Sequence, residues 1–284
     1  MNQLTTEKRA QVIAALVEGN SIRATVRLTG AAKNTVAKLL VEMGSACAEY
    51  LDKAVRNVKC QRVQADEIWS FCYAKENHLP PDKRGKFGYG DVWTYTAIDA
   101  DTKLAVTWLV GQKSAESAYA FMYDLASRIS GRAQLTTDSY QAYIKAIEGA
   151  FGDNVDYAML SKLYGKPDKF EVPFPERRYS PPRVLSSRKY PIRGNPDLAH
   201  VSTSFVERQN LTMRMSMRRF TRLTNGFSKK VENLMCAVAL WFMYYNFGRV
   251  HQTLGTTPAV AAGLADHKWE ISEIIGLLDS SKSN

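Results

Sequence analysis

Residues 61–73, QRVQADEIWSFCY, constrain this chain more than any other stretch. Val63, Ala65, Trp69, Phe71 and Tyr73 fall on one parity, and Asp66, Ile68, Ser70 and Cys72 on the other, which is the period of a β-strand. A strand this apolar and aromatic belongs at the centre of a sheet, covered on both faces. A carboxylate in such a place is costly unless an opposite charge or a metal ion compensates it. Asp66 and Glu67 point to opposite faces, so only one of them is expected in a given site. Glu67 shares its parity with Trp69 and Phe71, which leaves Asp66 as the candidate metal ligand. An ion pair tying the sheet together is the other explanation.

The charge balance points to a polyanionic partner. The 284 residues carry a formal net charge of +10, and residues 162–230 hold sixteen Lys and Arg against five Asp and Glu. Charge concentrated in one segment fits a phosphate-binding channel better than an evenly solvated surface. Nucleic acid is therefore the expected partner. Cys47, Cys60, Cys72 and Cys236 form no C-x-x-C pair and have no histidines at zinc-ligand spacing, which predicts reduced thiols in a cytoplasmic protein without structural zinc. The N-terminus lacks the apolar run of a signal peptide, and the longest apolar run, residues 234–247, is too short for a membrane span. No phosphate-binding glycine loop is present, which argues against an ATP-driven enzyme.

Taken in order, residues 6–18 have helical spacing, with Thr6 as the expected cap. Residues 21–40 read as a helix holding Val26 and Leu28, a turn at Gly30, and a second helix burying Val36, Leu39 and Leu40. This pattern is similar to the helix-turn-helix, which would set Lys33, Asn34, Thr35 and Lys38 towards the major groove of DNA. A plain three-helix bundle is the alternative. The expected organisation is a helix-turn-helix domain over 1–45, a helical connector over 46–60, a catalytic domain over 61–250 and a helical tail over 251–284.

Beyond the first strand, residues 91–99 and 104–111 complete an antiparallel meander. A helix over 115–130, a strand ending on Asp138, a helix over 140–150 and a fifth strand over 155–160 follow. That succession predicts an α/β fold, an RNase H-like mixed five-stranded sheet flanked by helices. In it the middle of strand one and the end of strand four lie side by side, which would bring Asp66 to Asp138. Helix capping is the other reading of Asp138.

Residues 161–200 hold seven of the ten prolines, so regular structure is not expected there. Arg177, Arg178, Arg183, Arg188, Lys189 and Arg193 alternate with Phe174, Tyr179 and Tyr190, a mixture suited to gripping phosphates. Residues 200–225 read as one helix, capped by Ser202 or Thr203, with Glu207, Leu211, Arg214, Arg218 and Arg222 following one another along a face. Glu207 is the only acid between Asp197 and Glu232, which favours a metal ligand beside a DNA track over a structural ion pair. A long helix is expected over 227–250.

With ADEIWSF around Asp66, LTTDSYQAY around Asp138, STSFVERQNLTMRMSMRRFTRLTN around Glu207 and YYNFGRVHQTLGTTPA over 244–259, the chain resembles the DDE transposases of bacterial insertion sequences, in the retroviral integrase superfamily. The resemblance implies that Asp66, Asp138 and Glu207 are catalytic and hold two Mg²⁺ ions, with Mn²⁺ able to substitute. Asp66 would bridge the ions, which activate a nucleophile and stabilise the leaving 3′ oxygen. It also implies double-stranded DNA as partner, both element ends and target, an assembly of at least two copies, and a nucleoid-associated location. A hydrolytic nuclease on the same fold, or a helix-turn-helix transcriptional regulator, are the alternatives. His200 and His251 either touch the site or pack.

Overall fold

The computed structural model describes residues 4–165, 184–221 and 224–280. Three helices open the chain: α1 (Thr6–Val17), α2 (Ile22–Thr29) and α3 (Lys33–Ala54). Thr5, one residue before the expected cap, accepts from Lys8 N and starts α1. Gly30 ends α2 at φ 70°, a left-handed position that favours glycine. Val36, Leu39 and Leu40 are buried as expected, but Leu28 is exposed on the outer face of α2.

α3 continues unbroken to Ala54, so the segment expected as a helical connector from residue 46 is helical up to that point and runs on directly from the second helix of the expected helix-turn-helix. The reason is burial: Met43, Gly44, Cys47 and Leu51 prolong its apolar stripe. That stripe packs on α7 (Val231–Met243).

Among the described residues the sheet has six strands: β1 (Arg62–Cys72), β2 (Gly90–Asp99), β3 (Ala105–Gly111), β4 (Ala133–Thr137), β5 (Val155–Tyr164) and β6 (Val184–Arg193). Their order is β3-β2-β1-β4-β5-β6. β1, β2 and β3 form the antiparallel meander, β4 and β5 add in parallel, and β6 closes antiparallel on β5. The sheet is thus mixed and flanked by helices, with α4 (Ala115–Arg128) and α5 (Ala142–Phe151) in the crossovers.

The expectation of five strands, with no regular structure over 161–200, is corrected by β6. An edge strand tolerates proline because one side of its backbone needs no partner, and Pro191 sits there opposite Ala158, beside a register shift. The Pro-rich core of that segment, with Arg177 and Arg178, lies outside the described residues.

Two helical expectations also change. α6 (Ser204–Ser216) stops at Met217, and Arg218–Phe220 is a 3₁₀ turn. The arginine row therefore does not run along one helix: Arg214 is on α6, Arg218 is on the turn, and Arg222 lies outside the described residues. Residues 227–250 are not one helix either, since α7 ends at Met243 and continues as a π turn over Tyr244–Gly248.

That turn docks the C-terminal part on the sheet. The Asn246 side chain bonds both the N–H and the C=O of Ala105, each at 3.0 Å, and the Tyr245 hydroxyl donates to Lys103 O at 3.0 Å. α8 (Pro258–Ala261) and α9 (Ile271–Ser280) complete the chain, and α9 packs on α1 and α3. The main core is one connected cluster running from Val12 to Leu278, and Ala158, Leu160 and Val201 form a small separate one. No helix among the described residues is long and apolar enough to cross a membrane.

Candidate metal centre

β1 carries Asp66 into the middle of the sheet, opposite Thr96 of β2. On its other side Ala65 is level with Thr137, the last residue of β4, so Asp138 leaves that strand directly beside Asp66. Asp138 Oδ1 accepts from Tyr140 N at 2.9 Å, which turns the chain sharply after the strand. It does not cap α5, whose N-cap position is Gln141.

The third acid of the cluster is Glu67. One carboxylate oxygen from each of Asp66, Glu67 and Asp138 lies within 4.8 Å of the other two. This corrects the expectation that opposite parity keeps Glu67 out. Parity sets the face from which a side chain departs, but Asp138 stands past the end of its strand, where both carboxylates reach it.

The Glu67 side chain is 1% exposed, and its Oε2 pairs with Lys113 Nζ at 3.3 Å. Lys113 in turn stands over the rings of Trp93 and Tyr140. Burial raises the Glu67 carboxyl, with the neighbouring Tyr143 hydroxyl and Lys113 acting the other way.

Burial, followed by the nearby Glu67 and Asp138 carboxylates, pushes Asp66 up to about 7, with Glu207 adding least. A carboxyl raised by like neighbours is one that a cation would bring back into the ionised form. The cluster offers oxygen ligands only, without histidine or cysteine, which suits a hard divalent ion such as Mg²⁺ or Mn²⁺ rather than zinc. The residues present therefore fit the implied metal.

Glu207 is not brought into this cluster. It lies in the first turn of α6 with its side chain 44% exposed; Oε1 accepts from Thr203 Oγ1 at 2.6 Å and pairs with Lys162 of β5. One turn further along α6, Asn210 takes the place nearest Asp66, donating from Nδ2 to Asp66 Oδ2 at 2.9 Å.

Gln64, two residues before Asp66, aligns the helix. Its Oε1 accepts from Phe205 N at 2.8 Å and Val206 N at 3.2 Å, so β1 itself caps α6. Neither Gln64 nor Lys113 had a sequence signal.

The expected DNA-facing residues are spread over the surface. Lys33, Asn34 and Lys38 are exposed at the start of α3, Thr35 is half-buried, and Lys38 pairs with Glu42 at 3.6 Å. Arg188 and Lys189 are exposed on the edge strand β6. Arg214 is half-buried and Arg218 exposed. His200 is outside the cluster, against Asp197 at 2.6 Å, and His251 lines a cavity beside α6.

The sequence matches no family model and no curated protein. Two solved structures are similar in shape. A cryo-EM structure of a piggyBac transposase synaptic complex with hairpin DNA aligns over 99% of this chain and 71% of that one, at 11% identity and a TM-score of 0.44. A crystal structure of the Mos1 strand transfer complex aligns over 55% and 59%, at 11% identity and a TM-score of 0.23. Likenesses of this size carry no activity across, so function rests on the chain's own residues.

Proposed function

We propose that this chain is a DNA transposase of the DDE type, with an RNase H-like catalytic domain. It would bind the terminal inverted repeats of its element through the α2–α3 helix-turn-helix, then cleave the ends and join them to target DNA. The observation that carries the reading is the convergence of Asp66 and Asp138, with Glu67, at the centre of a mixed sheet in a strongly basic chain.

Asp66 and Asp138 would hold the metal. Mg²⁺ bound there would supply an activated nucleophile and a stabilised leaving 3′ oxygen, first for cleavage by water and then for attack by the freed 3′ hydroxyl. Glu207 would be the third carboxylate, released from Lys162 once DNA and metal are bound. Glu67, held by Lys113, would keep the rear of the cluster negative. Arg188 and Lys189 on β6, with Arg214 and Arg218, would grip phosphates beside it, together with Arg177, Arg178 and Arg222. Cutting two ends in concert asks for at least a dimer.

The test incubates wild type, Asp138→Asn, Glu207→Gln and Glu67→Gln with a labelled linear DNA carrying the element's end and a plasmid target, in Mg²⁺ or EDTA. Wild type is expected to nick the end and join it to the plasmid only with Mg²⁺. Asp138→Asn and Glu207→Gln should lose about 10³-fold or more in rate, as expected when several kcal/mol of transition-state stabilisation disappear. Loss in Glu67→Gln with full activity in Glu207→Gln would move the third ligand to Glu67. Duplex binding without Mg²⁺-dependent cutting would make the chain a DNA-binding regulator instead, and cutting without joining a nuclease.

A further inference from the structure

A cavity of about 390 Å³ opens on the side of α6 opposite the acid cluster. Helical periodicity separates the two faces: Glu207 and Asn210 point one way, while Phe205, Arg208, Gln209 and Thr212 point the other. Lys103, from the β2–β3 turn, and Arg249 and His251, from the segment after the π turn, form the facing wall. Lys103, Arg208, Arg249 and a histidine thus share one cavity, and among the described residues no acid lines it.

Two further observations point to a missing anion. Gln209 is 2% exposed, and its Nε2 has no hydrogen-bond partner among the described residues; His251 Nδ1 has none either. Buried polar groups are normally paired, and these two atoms, on residues of the cavity wall, find no partner among the described residues. Lys103 has a different constraint. Its ammonium is 3.8 Å from the centre of the Phe205 ring and donates to the carbonyls of Ala100 and Asp101, which fixes its position beneath the cavity. After burial, the charges of Lys103, Arg249 and Arg208 all hold His251 below its usual range, so their fields converge on one point.

We infer that this cavity is a phosphate-binding site that holds a backbone phosphate of the DNA strand running past α6. The inference rests on the proposed transposase reading and adds a second anchoring point to it. A phosphodiester is anionic and purely an acceptor, which matches a wall that among the described residues is rich in cations and free of acids. Anchoring DNA on one face of α6 would hold the strand in register with the carboxylates on the other.

Duplex binding is measured by fluorescence anisotropy in EDTA across a NaCl series, for wild type, Arg208→Gln and Lys145→Gln, with melting temperatures recorded for each. Arg208 and Lys145 are both exposed, and Lys145, on α5, is the matched loss of one charge outside the cavity. The slope of log K against log [NaCl] is expected to fall by about 0.9 for Arg208→Gln, as one phosphate goes unneutralised, and to stay unchanged for Lys145→Gln. Equal slopes in all three proteins, with wild type binding normally, would overturn the phosphate site and leave the transposase reading standing. No binding by wild type would overturn that reading, and this one with it. A third arm adds inorganic phosphate or dAMP: if either raises the melting temperature of wild type but not of Arg208→Gln, while the DNA slopes stay equal, the site takes free phosphate esters and the DNA assignment fails.

Discussion

Asp66 shows at the scale of one residue how a site can be costly to its own fold. Its carboxyl titrates at about 7 in the folded protein, against 3.8 in an ordinary setting, because it is buried beside Glu67 and Asp138. Below pH 3.8 both folded and unfolded chains are protonated, and Asp66 contributes no pH dependence. As pH rises through about 7 the folded chain holds its proton longer than the unfolded one, so metal-free stability is lost. Asp66→Asn removes the charge while keeping an acceptor for Asn210. In EDTA at pH 8 it should stabilise the protein by about 4 kcal/mol in urea unfolding, with the gain gone near pH 4. A variant no more stable than wild type at pH 8 would show that Asp66 does not sit among like charges.

At the scale of elements, α3 and α7 cross so closely that side-chain size decides the packing. A Cβ on Gly44 would meet the carbonyl oxygen and Cα of Cys236 well inside contact distance. Alanine normally improves a helix interior by about 1 kcal/mol over glycine. Here the atoms in the way are backbone, which cannot swing aside, and overpacking typically costs ~1–3 kcal/mol. Gly44→Ala should therefore lower the urea midpoint, and a raised midpoint would mean that the helices can separate freely. The same close packing explains why α3 extends past residue 45. Its second half is a core element, and a helix that buries one continuous stripe has no reason to break. α6 follows a different rule: it is anchored by Gln64 of β1, so its faces are aimed by the strand that carries Asp66.

For the whole molecule, charge is the property that matters most. The net charge of +10 is compatible with a large connected core because many of the basic groups are exposed, among them Lys33 and Lys38 on α3, Arg188 and Lys189 on β6 and Arg208 on α6. Binding to duplex DNA should weaken steeply with salt, as counterions are released from neutralised phosphates. Replacing both Arg188 and Lys189 by Gln should lower the salt slope by about 0.9 for each phosphate that the pair neutralises, without changing the melting temperature, because both side chains are exposed on an edge strand. An unchanged slope in the anisotropy titration would take β6 out of the DNA path.

Much of this was legible in the chain itself. Alternation marked β1, and the strand succession put Asp138 beside Asp66, because local period and element order need no distant information. β6 was missed because seven prolines outweighed its pattern, and whether a proline is tolerated depends on which strand becomes the edge. Glu67 was set aside on parity, which describes a strand in isolation and cannot see the end of its neighbour. Glu207 stands out as a lone acid among arginines, yet its carboxylate turns to Lys162, forty-five residues earlier in the chain. The amino-acid sequence by itself determined which segments are helical, though not where each helix ends, together with the central strand and the excess of positive charge, since these follow from short-range periodicity and composition. Only the tertiary structure decided which carboxylates converge and that cations from three separate segments line one cavity, because strand register and helix packing join residues far apart in the chain.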